Sequence, residues 1–362
     1  MKGTGELKVV VACGGTGGHA FPGLAVAEAL RKRGHEVTVW DSGRDIESSV
    51  MKSWTGELFS TGARQIRLSN AFQIVRSFFR CLARLKKIKC DVMLAMGSYS
   101  SLTPVLAARS SSVPVVLHEA NTVPGRAVEL LSRLACAVAI SFKSTEKYLL
   151  GRECFHTGLP VRENIDKGAK FESIPENAFV IFVTGGSQGA HAVNQLACEA
   201  IIRLSQNLKK RGENRPLYVI HQTGVADEGR IIMNYATKGI DARVKAFEDK
   251  MADALASADF VIARAGASTC FELALCGKSA LFIPLPSAVR NHQHYNAEAF
   301  VAAKAADEAF QNTISPRQLE RYLLSVYDDQ KRRAAMAENM KKLAVPDAAE
   351  RVADIVEKAV KA

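Results

Sequence analysis

An apolar strand that ends in a cluster of glycines and runs straight into a helix leaves few folds open, and this chain contains that arrangement twice. The first instance is residues 9–13 followed by Gly14-Gly15-Thr16-Gly17-Gly18-His19. The second is residues 179–184 followed by Gly185-Gly186-Ser187-Gln188-Gly189-Ala190-His191. In each, the first backbone N–H groups of the helix have no intrahelical partner. Glycine lets a ligand approach the backbone closely, and the free N–H groups with the helix dipole favour phosphate oxygens. One such turn is weak evidence. Two, near the starts of the two halves, predict twin α/β domains facing each other across a ligand cleft.

A chain of 362 residues with 48% hydrophobic content exceeds the usual single-domain size, so two domains are expected. Strand signals lie at 9–13, 36–40, 91–96, 113–118 and 137–141, then at 179–184, 217–222, 243–247, 260–263 and 280–284. With helices between them, this βαβ rhythm predicts mainly parallel sheets covered on both faces. Gly158-Leu159-Pro160-Val161-Arg162, followed by polar residues to Asn177, is the linker candidate. The last stretch is helical: Pro346 suits a first-turn position, and Val352, Ile355, Val356, Ala359 and Val360 make an apolar stripe.

The net charge of +11 favours anionic partners: nucleic acid, anionic lipid or phosphorylated substrates. Between residues 74 and 89, drawn as a helix, Arg76, Arg80, Arg84 and Lys87 share one stripe. Ile74, Phe78, Leu82, Leu85 and Ile88 occupy the opposite face. This is either a surface helix with its apolar face in the core, or one that helps hold an anionic membrane. The basic residues lack the aromatic interleaving of RNA platforms, so nucleic acid is not an expected partner. No apolar stretch reaches the roughly 18 residues of a membrane span, and no signal peptide is visible. The eight cysteines are scattered without a C-x-x-C pair, which suits a reducing compartment and gives no zinc pattern. No D-x-D occurs, so the phosphate charge falls to N–H groups and arginines such as Arg162; neither a metal nor a cofactor is expected.

Residues 14–19 lack the G-x-G-x-x-G order of a dinucleotide site, and no P-loop is present. Each glycine turn is therefore a packing turn or a phosphate cradle of another kind. His19, where the first helix begins, either takes a proton from an attacking hydroxyl or has no chemical task. Ser187 and Gln188 offer a hydroxyl and successive N–H groups to a diphosphate. In Ala263-Arg264-Ala265-Gly266-Ala267-Ser268-Thr269-Cys270-Phe271-Glu272, the Thr269-x-x-Glu272 pattern reads as a capping box, or Glu272 holds the two hydroxyls of a ribose. Gln293, among the polar residues 291–296, follows a strand end, as do His118, Glu119 and Asn121; ligands of α/β sheets bind after strand ends. The His118-Glu119 pair also fits a satisfied loop contact.

Together, GGTGGHAFPGLAVAEAL, VVLHEAN, GLPVR, GGSQGA, ARAGASTCFE, HQHYNA and VPDAAERVA resemble the MurG family, in its order and over nearly the whole chain. These are the UDP-N-acetylglucosamine (UDP-GlcNAc) transferases that complete lipid II in bacterial peptidoglycan synthesis. The resemblance implies a GT-B fold, with two Rossmann-like doubly wound parallel-sheet domains, and a metal-independent, inverting transfer. It implies that residues 1–162, joined by the C-terminal helix 345–362, serve the acceptor lipid I and the membrane, and that residues 163–344 bind UDP-GlcNAc. Thr16, Gly17, Gly18 and Asn121 would contact the transferred sugar or lie beside the acceptor. Arg162 and Ser187, with Gln188 in the same turn, would meet the diphosphate. The backbone of Glu248 would read uracil, Ala267, Ser268 and Thr269 would line the nucleoside with Glu272 on the ribose, and Gln293 would reach the sugar hydroxyls. His19 is the first candidate for general base, with His118 or Glu119 as alternatives. The implied location is peripheral, on the anionic cytoplasmic face of the bacterial inner membrane. Leu159, Ser98 and Glu248 depart from the family's asparagine, glycine and apolar residue. The rivals are a non-hydrolysing UDP-GlcNAc 2-epimerase on the same plan and an NAD-linked dehydrogenase, the latter opposed by the glycine order.

Overall fold

Both parallel sheets grow outward from their first strand, and that topology decides where a ligand can sit. The computed structural model describes residues 5–15, 17–43, 51, 54–63 and 70–361. The chain divides into two units, Met1–Glu163 with Val345–Ala362, and Asn164–Ala344. The first unit holds β1 (Lys8–Ala12), α1 (Gly17–Lys32), β2 (Glu36–Asp41), β3 (Glu57–Ser60), α2 (Ala71–Ile88), β4 (Val92–Ala95), α3 (Leu102–Ser110), β5 (Val115–Glu119), α4 (Arg126–Leu131), β6 (Ala137–Ile140) and β7 (Cys154–His156). The second holds β8 (Phe179–Thr184), α5 (His191–Lys210), β9 (Leu217–Gln222), α6 (Glu228–Thr237), β10 (Asp241–Lys245), α7 (Met251–Ser257), β11 (Phe260–Ala263), α8 (Ala267–Cys276), β12 (Ala280–Phe282), α9 (His292–Ala302), β13 (Ala306–Glu308), α10 (Pro316–Asp328) and α11 (Gln330–Lys342). A last helix, α12 (Ala348–Ala359), belongs to the first unit.

The strand orders are β3-β2-β1-β4-β5-β6-β7 and β10-β9-β8-β11-β12-β13, with every pairing parallel. In each sheet the chain steps outward on one side of its first strand and then returns to the other side. The crossovers diverge there and leave a crevice at the carboxyl end of that strand, the usual ligand position of open α/β sheets. Both glycine turns leave from such a switch point.

Alternation along β1 shows why its sequence is continuously apolar. Val9 and Val11 pack on one face with Leu24, Ala27 and Leu30 of α1, while Val10 and Ala12 face Cys81 and Leu85 of α2 on the other. Parallel strands covered on both faces read as unbroken apolar runs. The second unit repeats the arrangement, with Phe179, Ile181 and Val183 against Val193, Ala197 and Ile201. Val352, Ala353, Ile355 and Val356 of α12 enter the first unit's core beside α1. Arg33 secures that return by bonding Glu350, Asp354 and Glu357. Pro346 is not in the first turn of α12: it precedes Asp347, the N-cap.

The basic segment forms one helix, α2, with Phe78, Leu82 and Ile88 packed beside the buried Cys81 and Leu85. Its stripe is not uniformly open, however. Arg84 pairs with Glu57, Arg80 donates to the Ser60 carbonyl at 2.9 Å, and both guanidinium groups lie over the Phe59 ring. These two arginines hold edge strand β3. The outermost apolar residues of α2 are instead Phe72, Val75 and Phe79, which are 79%, 53% and 59% exposed. No described helix is long and apolar enough to cross a membrane.

Candidate active site

In the first unit the glycine turn is shaped by its neighbours. Gly15 has φ +128°, and a Cβ there would lie 2.5 Å from the Ser98 hydroxyl, so glycine is needed on both counts. Ser98 itself adopts φ 73°, ψ 159°, a conformation that favours glycine. In the same loop, the Ser100 hydroxyl donates to the Gly14 carbonyl at 2.5 Å. Thr16 lies outside the described residues. Gly17 and Gly18 open α1, and the half-buried His19 is its third residue. Leu159 is buried at 1% exposure.

His118 and Glu119 end β5, and both are buried. Desolvation lowers the His118 pKa to about 4, against a raising contact from the Gly158 backbone, so the ring is neutral near pH 7. Its Nε2 lies 3.4 Å from the Ser141 hydroxyl. Desolvation raises the Glu119 pKa to about 6, opposed by bonds from the Asn121 and Gly125 backbone. One carboxylate oxygen accepts the Asn121 N–H at 2.8 Å and Nδ2 at 3.2 Å; the other accepts the Gly125 N–H at 3.0 Å. Glu119 therefore folds the loop that presents Asn121. Arg162 stacks over the Phe21 ring of α1 at 4.4 Å.

In the second unit, Gly186 and Gly189 have φ of +90° and +74°, and Ser187 and Gln188 between them are exposed. The Gly189 N–H closes the turn on the Gly186 carbonyl at 2.9 Å. α5 begins after an extended Ala190 with no side-chain cap, which leaves its first-turn N–H groups without a capping oxygen. Glu248 is 1% exposed, and its carboxylate turns inward, accepting Arg243 at 2.7 and 3.1 Å and the Lys250 N–H at 3.0 Å. An acid is accommodated at this position because Arg243 neutralises it. The adjacent Phe247 is 47% exposed.

The capping box, one of the two readings of Thr269-x-x-Glu272, does not form. α8 starts at Ala267 with Gly266 as an extended N-cap, so Ser268 and Thr269 already lie in its first turn and Glu272 follows in the next, 6% exposed. Ala267 is buried, and the Ser268 hydroxyl is a buried atom without a hydrogen-bond partner among the described residues. Gln293 accepts the Leu285 N–H at 2.9 Å, which ties α9 to the loop after β12. Sequence reasoning missed Arg264. Buried among the described residues without a carboxylate partner, it donates to the carbonyls of Ile283 and Pro284 at 2.9 Å each and to Gln311 at 2.6 Å. Its place one residue after β11 was the only available signal. Among the described residues no group of His, Cys, Asp or Glu side chains could hold a metal ion.

Comparison with known proteins gives a consistent result. Residues 9–140 match the glycosyltransferase family 28 N-terminal domain and residues 180–352 the C-terminal domain of that family. A UDP-N-acetylglucosamine–N-acetylmuramyl-(pentapeptide) pyrophosphoryl-undecaprenol N-acetylglucosamine transferase from Geobacter metallireducens is 35% identical, over 96% of this chain and 97% of its own. The crystal structure of Acinetobacter baumannii MurG superposes with a TM-score of 0.78 at 29% identity, covering 98% and 99% of the two chains. A UDP-GlcNAc 2-epimerase from Neisseria meningitidis shares the fold, with a TM-score of 0.72 at 13% identity over 97% of this chain and 100% of its own.

Proposed function

The chain belongs to glycosyltransferase family 28, within the MurG group, and from that premise we propose that it transfers GlcNAc from UDP-GlcNAc to lipid I, giving lipid II. The observation that carries this reading is the near full-length match to a transferase named for that reaction. In the transfer, the C4 hydroxyl of the acceptor N-acetylmuramoyl group attacks the anomeric carbon from the face opposite UDP. The new C–O bond forms as the bond to the diphosphate breaks, and configuration inverts. The hydroxyl proton passes to His19. The charge left on UDP is stabilised by the N–H groups of the 185–190 turn and the dipole of α5.

The same reading gives Ser187 and Gln188 to the diphosphate and the Glu248 backbone to uracil. Ala267, Ser268 and Thr269 line the nucleoside, Glu272 takes the ribose, and Gln293 the sugar. Gly17, Gly18 and Asn121 contact the transferred sugar or lie beside the acceptor. Residues 163–344, within one residue of the second unit Asn164–Ala344, then form the nucleotide-sugar domain, and residues 1–162 with 345–362 the acceptor domain. Because the acceptor is a membrane lipid, we place the enzyme peripherally on the cytoplasmic face of the inner membrane. Phe72, Val75 and Phe79 of α2 would enter the interface, with Arg76, Lys86, Lys87 and Lys89 on anionic headgroups.

The test is incubation with labelled UDP-GlcNAc and a lipid I analogue in the presence of a chelator. Label in a lipid-extractable disaccharide supports the transfer. Formation of UDP-N-acetylmannosamine without acceptor replaces it with the epimerase.

A further inference from the structure

Gln222, the last residue of β9, joins two turns that lie far apart in the sequence. Its side chain is 1% exposed. Nε2 donates to the Gly186 carbonyl at 2.7 Å, and Oε1 accepts the Glu248 N–H at 3.1 Å. One partner accepts and the other donates, so only this orientation of the amide satisfies both. The next two residues complete the bridge. On one flank, the N–H groups of Thr223 and Gly224 donate to the carbonyls of Lys245 and Ala246, each at 2.9 Å. On the other, Gly189 approaches so closely that a Cβ there would lie 1.9 Å from the Thr223 carbonyl oxygen. Residues 222–224 are thus clasped between the second glycine turn and the turn at 246–248.

We propose that Gln222 is a positioning residue that fixes the spacing between the diphosphate subsite and the uracil subsite. This rests on the reading above, in which the 185–190 turn holds the diphosphate and the turn at 246–248 meets uracil. A ligand anchored at two points gains from its linkage only when the protein's spacing matches its own. A buried amide engaged at both ends sets that spacing firmly, because releasing either end leaves a buried polar group unsatisfied. The Gly186 carbonyl also accepts the Gly189 N–H, so the shape of the turn and its distance from residue 248 share one atom.

The experiment measures affinities of the full chain for UDP, uridine and pyrophosphate, in the parent and in Gln222→Glu and Gln222→Met. Glutamate keeps the acceptor for the Glu248 N–H and loses the donor to Gly186; methionine keeps the shape and loses both. UDP affinity should fall about tenfold or more, while uridine and pyrophosphate each change less than about threefold. A loss of the same factor for all three ligands, or none for UDP, overturns the positioning role. A parent chain that binds UDP no better than uridine overturns the underlying assignment of the diphosphate turn instead. Amide exchange in the parent chain needs no variant to fold: saturating uridine should slow exchange of the Gly189 N–H. Unchanged exchange there overturns the coupling.

Discussion

Replacing Phe72 and Phe79 with serine should detach the protein from vesicles, and the magnitude follows from their exposure. At 79% and 59% exposed, the two rings present on the order of 250 Å² of apolar surface, since an aromatic side chain covers roughly 150–250 Å². If half of that enters the membrane interface, about 25 cal/mol per Å² gives about 3 kcal/mol, roughly a hundredfold in partitioning. Each exposed cation near an anionic surface adds about 1 kcal/mol, but only where salt does not screen it. The Debye length falls from about 10 Å at 0.1 M to about 3 Å at 1 M. Cosedimentation with anionic vesicles at both salt concentrations separates the two contributions. The double serine variant should lose binding at low and high salt. Arg76→Gln with Lys86→Gln should lose it at low salt only. Arg80→Gln and Arg84→Gln should mainly destabilise the first unit, because those side chains hold β3. Parent-like binding of the double serine variant at 1 M salt would refute the reasoning.

Three further outcomes are expected. His19→Ala should reduce turnover by about 10²–10⁴-fold while leaving UDP affinity intact; a loss under about threefold in a single-turnover assay removes it as base. Glu272→Ala should weaken UDP binding by roughly ten- to a hundredfold, the cost of a hydrogen bond to a charged group. Calorimetry showing unchanged nucleotide affinity with a lower melting temperature would leave Glu272 a structural residue only. Stability should also fall on acidification from about pH 6.5, because His118 and His221 are buried with pKa values lowered by desolvation to about 4 and about 3. The unfolded chain binds those protons first, so the stability present above the unfolded pKa is lost as pH falls, at about 3 kcal/mol for His118. Glu119, raised to about 6, works in the opposite sense between pH 6 and 4.5 and offsets part of the loss. Denaturant titrations of His118→Gln should show a shallower slope between pH 6.5 and 4, and a slope equal to the parent's would exclude His118 as its source.

The parts of the fold that sequence reveals are those whose burial leaves no choice of residue. Residues 179–184, 217–222 and 260–263 form strands with the bounds their apolar runs predict, because each lies inside a sheet covered on both faces. β3 escaped because it is an edge strand with three of its four residues exposed, which removes the apolar pattern. β7 and β13 are three-residue edge strands with at most one buried residue, so no apolar run marks them. A capping box at Thr269 fails to form for another reason. Ser268 and Thr269 both suit an N-cap, but Gly266 reaches the extended conformation first and shifts the helix phase. Gln222 and Arg264 were silent because their partners are mostly backbone groups distant in the chain. Such bonds impose no residue pattern that a sequence could display.

The choice of His19 as base in our proposal turns on what the alternatives are already bonded to. A general base must reach the hydroxyl directly or through one water and must be unprotonated at the working pH. His118 meets the second condition but not the first: it is 0% exposed, and its pKa near 4 reflects that same burial. Glu119 carries a raised pKa, which would suit a base, yet three N–H groups already occupy its two oxygens. Taking a proton there would weaken the bonds that shape residues 121–125, so catalysis through Glu119 would cost the loop that presents Asn121. His19 is half-buried at the start of α1, on the same crevice as the first glycine turn. Our proposal therefore gives the proton to His19, and the raised pKa of Glu119 is a consequence of the loop it closes.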